Sequence, residues 1–150
     1  MRCIFKFQIP IDMQSSMKNI VRGKLKQFDV ALKNQPGTLA DLAELLANSG
    51  VNIKAIATES SDNGAGKARL VTEDEKTTRA ALERGRFPFV ESEILHIGLL
   101  DRPGELAKIA RMLTKGKVNI DSVFILGKND GETSVAMKVS DLNAAKRILG

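Results

Sequence analysis

From Phe28 to Lys33 apolar and polar positions alternate, with Phe28, Val30 and Leu32 on one side and Asp29, Ala31 and Lys33 on the other. A period of two predicts a half-buried strand. Asn34-Gln35-Pro36-Gly37 interrupts it, and the period then changes. Leu39, Leu42, Ala43 and Leu46 follow at i, i+3, i+4 and i+7, one stripe of a helix, which Asn48-Ser49-Gly50 ends with a glycine in the favoured C-terminal position. Val51 to Ile56 reads as a second strand, Ser60 to Gly66 as a hairpin loop and Ala68 to Thr72 as a third strand. Asp74 is placed to N-cap a second helix, and Phe87 to Glu93 closes the unit as a fourth strand.

The pattern returns 67 positions later. Pro103-Gly104 repeats Pro36-Gly37, and Leu106, Ile109, Ala110 and Leu113 repeat the helical stripe. Lys115-Gly116-Lys117 ends that helix, Ile120 to Leu126 and Ser134 to Val139 flank a turn at Asn129-Asp130-Gly131, and Asp141 stands where Asp74 stood. The predicted fold is α+β: two ferredoxin-like (βαββαβ) domains at 24–93 and 94–150, packed side by side. Each is too small to bury a large core alone, so each is expected to lean on the other. The second copy stops at Gly150 after its second helix and lacks an evident C-terminal edge strand.

Residues 1–23 have no counterpart in the second copy. They are expected to form an N-terminal extension, either a disordered tail dispensable for binding or, through Ile4 to Ile9, the strand that fills the open edge. Met13 and Met17 are alternative starts.

Charge changes the picture once it is located. The formal net charge is +5, and residues 1–27 already hold six basic side chains against Asp12. Residues 28–150 carry 17 basic and 17 acidic side chains, so the repeated units are neutral and a nucleic-acid footprint on them is not supported. Cys3 is the sole cysteine and His96 the sole histidine. That leaves no internal disulfide, no thiolate metal cluster and too few ligands for zinc. His96 falls in an apolar strand pattern and reads as a satisfied or edge-exposed strand residue. No catalytic residues, cofactor or metal are expected, and neither a signal peptide nor a membrane span; the expected location is the cytoplasm.

The candidate chemistry lies in the two Pro-Gly turns. Asn34-x-Pro36-Gly37 and Asp101-x-Pro103-Gly104 each join a first strand to a first helix. The N–H groups of Gly37, Thr38 and Leu39, and of Gly104, Glu105 and Leu106, should leave a helix N-terminus, which favours a carboxylate. Asn34 or Asp101 beside the turn offers acceptors for an ammonium group. Carboxylate and ammonium together describe an amino acid. The blander alternatives are a plain strand-to-helix turn and a capping pair of Thr38 with Asp41. A second recurring element, Val51-Asn52-Ile53 and Val118-Asn119-Ile120, places an asparagine at an otherwise apolar strand start, as a ligand contact or as a turn residue leaving the helix.

In the order Asn/Asp-x-Pro-Gly-x-Leu, apolar helix, Val-Asn-Ile, the chain from about 28 to 150 resembles the ACT-domain family, and most of all its small stand-alone tandem members. The resemblance implies a regulatory protein with no catalytic activity that binds an amino acid between paired domains, the strand-to-helix loop of one facing the second strand of its neighbour. Carried onto this chain, the ligand contacts are Asn34, Pro36, Gly37, Thr38, Leu39, Asn52 and Ile53, with Asp101, Gly104, Glu105, Leu106, Asn119 and Ile120. Serine-sensing members carry a histidine two residues before the asparagine, where this chain has Leu32 and Leu99. The short linkage between Glu93 and Ile94 leaves the neighbouring sheets little freedom and exposes apolar edges, so a homo-oligomer, a dimer or higher, is expected. A variant reading is a regulatory subunit of a biosynthetic enzyme such as acetolactate synthase. From another class, ferredoxin-like sheets bind RNA through strand-borne aromatics, but this chain has no Trp or Tyr.

Overall fold

The computed structural model describes residues 20–150. Strands β1 (Val21–Lys33), β2 (Ile53–Ser60), β3 (Ala65–Thr72), β4 (Phe89–Leu100), β5 (Ile120–Asn129) and β6 (Glu132–Val139) alternate with helices α1 (Thr38–Asn48), α2 (Glu75–Arg84), α3 (Glu105–Lys115) and α4 (Leu142–Leu149). The strands form one sheet in the order β2-β3-β1-β4-β6-β5, antiparallel throughout. Asp74 and Asp141 cap α2 and α4 as expected, accepting from the N–H groups of Thr77 and Ala144 at 2.9 Å.

The two halves bury equivalent side chains. Phe28, Val30, Leu42, Leu46, Val51, Leu70 and Leu82 fill the space between sheet and helices in the first half. Leu95, Ile97, Ile109, Leu113, Val118, Met137 and Leu149 fill it in the second, each 67 positions on. Burying Leu46 or Leu113 stabilises the fold by roughly 2 kcal/mol apiece.

No open edge is left where the second unit's fourth strand was expected to be missing. β1 has 13 residues and β4 has 12, about twice the usual strand. The C-terminal part of β1, Phe28 to Lys33, pairs with β3, while Val21 to Gln27 lies against β4 opposite Ile97 to Ser92. Val21 to Gln27 is therefore the fourth strand of the second half, and Ile20 joins that half's core. Residues 21–23, expected in the extension, are the start of this strand. Arg22 and Lys24 suggest a solvated tail, yet each meets a carboxylate on another strand, Glu132 on β6 at 2.8 Å and Glu93 on β4 at 3.4 Å. Ile4 to Ile9 lie outside the described residues, and the place suggested for them is occupied.

A third cluster packs on the sheet face away from the helices: Val71, Ile94, Phe124 and Ala136, with Leu25 and Ala55. The sheet bends around it until the edge strands β2 and β5 approach each other. β4 passes from one half to the other without a break, so no linker separates them.

Candidate functional site

Gly37 and Gly104 are the N-cap residues of α1 and α3, with φ of 92° and 91°, in the left-handed region that favours glycine. Neither helix has a side-chain cap. Thr38 and Asp41 are thus not a capping pair; the Thr38 hydroxyl donates to the Gln35 carbonyl at 3.2 Å. The first N–H groups of α1 have no side-chain cap, although Asp41 stands in the first turn.

β1 and β2 run parallel with β3 between them, so the loop after β1 comes beside the far end of β2. Between them is a cleft of about 210 Å³ whose walls include Asn34, Thr38 and Leu39 on the loop side and Glu59 and Lys67 opposite, with Lys33 at the strand end. Arg69 holds Glu59 through two hydrogen bonds of 2.8 and 3.3 Å, and Lys67 stands 4.0 Å from the same carboxylate. Of the expected contacts of the first unit, Asn34, Thr38 and Leu39 line this cleft, while Pro36 and Gly37 shape the turn. Lys33, Glu59 and Lys67 were not anticipated. The parallel run of β1 and β2 implied by ferredoxin-like order is the signal that brings the end of β2 to the loop.

Asn52 and Ile53 sit at the other end of β2, about 23 Å away along an eight-residue strand. The Asn52 carbonyl accepts from the Glu73 N–H at 3.1 Å. Asn119 is bound more fully: its carbonyl accepts from Ser140 N–H, its N–H donates to Ser140 Oγ, and its amide donates to Asp121 at 2.8 Å. Within one chain these asparagines fasten strand starts to the strands beside them and do not face either Pro-Gly loop. Ile120 begins β5 and packs against the second core.

The second loop is built differently. Asp101 accepts from Lys128 at 2.9 Å and from Thr133 at 3.1 Å, and these hydrogen bonds hold its carboxyl below the usual carboxylate range. Glu105, its side chain only 14% exposed, accepts from Arg102 at 2.6 Å and Lys108 at 2.8 Å. Lys108 first and Arg102 after it keep Glu105 ionised to lower pH than an ordinary glutamate. Gly104 and Leu106 flank this ion cluster, and Leu106 is exposed, as Leu39 is in the first half.

His96, on β4, is hydrogen-bonded to the Ser134 hydroxyl on β6, the satisfied strand residue its sequence context suggested. Burial lowers its pKa, and Lys54 and Arg22 lower it further against the opposing effect of Glu132.

An ACT domain is found over residues 28–84. That stretch carries the Pro36-Gly37 loop, the cleft and α2. A search of curated proteins gives no match. Among solved structures, a protein from Bacteroides thetaiotaomicron is 24% identical with a TM-score of 0.76, covering 84% of this chain and 86% of that one. The regulatory subunit of aspartate kinase from Thermus thermophilus is 16% identical with a TM-score of 0.61, covering 87% and 94%. The corresponding subunit from Thermus flavus is 17% identical with a TM-score of 0.54, covering 87% and 96%. These likenesses show the α+β ferredoxin-like fold. Among the described residues no helix is long and apolar enough to cross a membrane.

Proposed function

We propose that this chain is a non-catalytic regulatory protein that binds a free amino acid, or a similar small zwitterion, at the first Pro-Gly loop. The observation that carries the reading is the cleft joining the α1 N-terminus to Asn34 and Glu59. A ligand carboxylate takes the N–H groups of the first turn, with Lys33 and Lys67 adding positive charge, and the ammonium takes Asn34 Oδ1 or the Glu59 carboxylate. A volume of about 210 Å³ is less than a drug-sized pocket and suits a metabolite of this size.

The chain assembles with a second copy in this reading. Leu39 and Ile56 are exposed beside the cleft, and Leu106, Val123 and Ile125 are exposed in the second half, Leu106 and Val123 at the repeat-equivalent positions. A partner covering them would also be the means of bringing an Asn52-Ile53 or Asn119-Ile120 strand start toward a Pro-Gly loop. The domain pair is then a tandem of ACT-type units, at 24–93 and 94–150, with Val21 to Gln27 of β1 lent to the second. The protein controlled is a separate biosynthetic enzyme, a role named for the aspartate kinase regulatory subunits that share the fold; acetolactate synthase is another enzyme of that kind. A role in RNA binding is disfavoured, because the sheet face that would stack on bases is occupied by Ile94, Phe124 and Val71.

Native mass spectrometry of the chain with the common amino acids tests this reading, since one spectrum reports both bound mass and the number of copies. A retained amino acid on a dimer is expected. A bare monomer with every amino acid would overturn it.

A further inference from the structure

We infer that the two Pro-Gly loops are not equivalent, and that Asp101 and Glu105 exclude a carboxylate-bearing ligand from the second, leaving one site per chain. This rests on the reading of the first loop as an amino-acid site. The repeat allows the two places to be compared position by position. Lys33, Asn34 and Thr38 of the first become Leu100, Asp101 and Glu105; Glu59 and Lys67 become Leu126 and Ser134. At the loop Lys33 is lost and two carboxylates are gained, and on the facing strands Glu59 and Lys67 are both lost.

The new carboxylates are not waiting for a cation from outside. Lys128 and Thr133 occupy Asp101, and Arg102 and Lys108 occupy Glu105, all at 2.6 to 3.1 Å. These partners stand where the first half has Ser61, Gly66, Gln35 and Asp41, none of which carries a cation. The second loop has thus replaced an exchangeable ligand by internal ion pairs. Glu105, in the first turn of α3, supplies from within the chain the negative charge that the helix N-terminus favours. An incoming carboxylate would find the cations there already engaged by the chain's own carboxylates, and an ammonium group would find the acceptors already engaged.

The test is amide NMR of the whole chain with a millimolar mixture of the common amino acids. In the wild type, the amides of Gly37, Thr38 and Leu39 are expected to shift, and those of Gly104, Glu105 and Leu106 to stay in place. In the Asp101→Asn/Glu105→Thr double variant, or in Glu105→Gln should the double variant lose its folded spectrum, the second set is expected to begin shifting while the first continues. Equal shifts at both loops of the wild type would overturn the inference and leave the first site standing. So would a folded double variant whose second loop stays silent while the first responds. Silence at both loops in every protein would instead overturn the first-loop reading, and this inference with it.

Discussion

Phe28 and Leu95, 67 positions apart, hold the same place in two half-sheets: Phe28 lies opposite Leu70 on β3, and Leu95 lies opposite Met137 on β6. Both are completely buried. The correspondence continues through the helix contacts, so each half is a complete layer of sheet and helices only because β1 and β4 are long enough to serve both. The stability of one half should therefore depend on the other.

Truncation tests that dependence. A chain beginning at Met17 is expected to keep its fold and its response to amino acids. One beginning at Phe28 loses Ile20 from the second core and the strand opposite Ser92 to Ile97. Its second half should lose hydrogen-exchange protection first, at β4 and β6. Equal protection in the two chains would contradict the shared-strand arrangement.

Helix ends offer a second test. α1 ends with Gly50 at φ 74°, its N–H on the Ala47 carbonyl and the Val51 N–H on Leu46. The same double bond closes α3, but Lys117 takes the left-handed place at φ 58°, one residue beyond the expected Gly116. A side chain in that conformation costs about 1 kcal/mol. Lys117→Gly is expected to raise stability by that order in denaturant melts, whereas Gly50→Lys should lower it. A destabilised Lys117→Gly would show that the lysine makes a compensating contact.

His96 predicts a pH dependence. Its folded pKa is lowered by burial, then by Lys54 and Arg22, with Glu132 opposing them and Ser134 as its hydrogen-bond partner. The folded state thus binds this proton less readily than the unfolded chain, whose histidine titrates near about pH 6.5. The contribution of His96 to stability is fully present above that value and is lost as pH falls through the folded pKa. Melting temperature should begin to decline below about pH 6.5, and His96→Gln should remove that part of the decline. Asp101 and Glu105, whose pKa values are also lowered, add a separate loss at more acid pH, through the carboxylate range. A profile unchanged by His96→Gln would refute the assignment.

Much of this architecture was legible because the same spacings occur twice. The alternation around Phe28, the stripe from Leu39 to Leu46 and the caps at Asp74 and Asp141 depend on local periodicity and local hydrogen bonding, and they stand in the structure where the pattern put them. Val21 to Gln27 was hidden because Arg22, Lys24 and Lys26 read as a charged tail; Glu132 and Glu93, which pair with the first two side chains, and Glu75, which accepts from the Lys26 backbone N–H, come from remote parts of the chain. The candidate site was legible as a loop but not as a cleft. Asn34 and Thr38 follow from the motif, whereas Glu59 and Lys67 are brought to them only by the pairing of β2 with β3. Occupation of Asp101 by Lys128 and Thr133 likewise depends on contacts no local spacing reveals.

The central claim is that a free amino acid binds at the first Pro-Gly loop. A thermal melt of the chain against each common amino acid, repeated on Gly37→Val shown to be folded by circular dichroism, tests it most directly. A Cβ at position 37 points into open space, so the substitution obstructs the loop and strains its positive φ without a clash in the core. At least one amino acid, at about 100 times its dissociation constant, should stabilise the wild type by roughly 2.7 kcal/mol, a shift of several degrees, and should leave the variant unmoved. No shift with any amino acid, or the same shift in the folded variant, would contradict the claim.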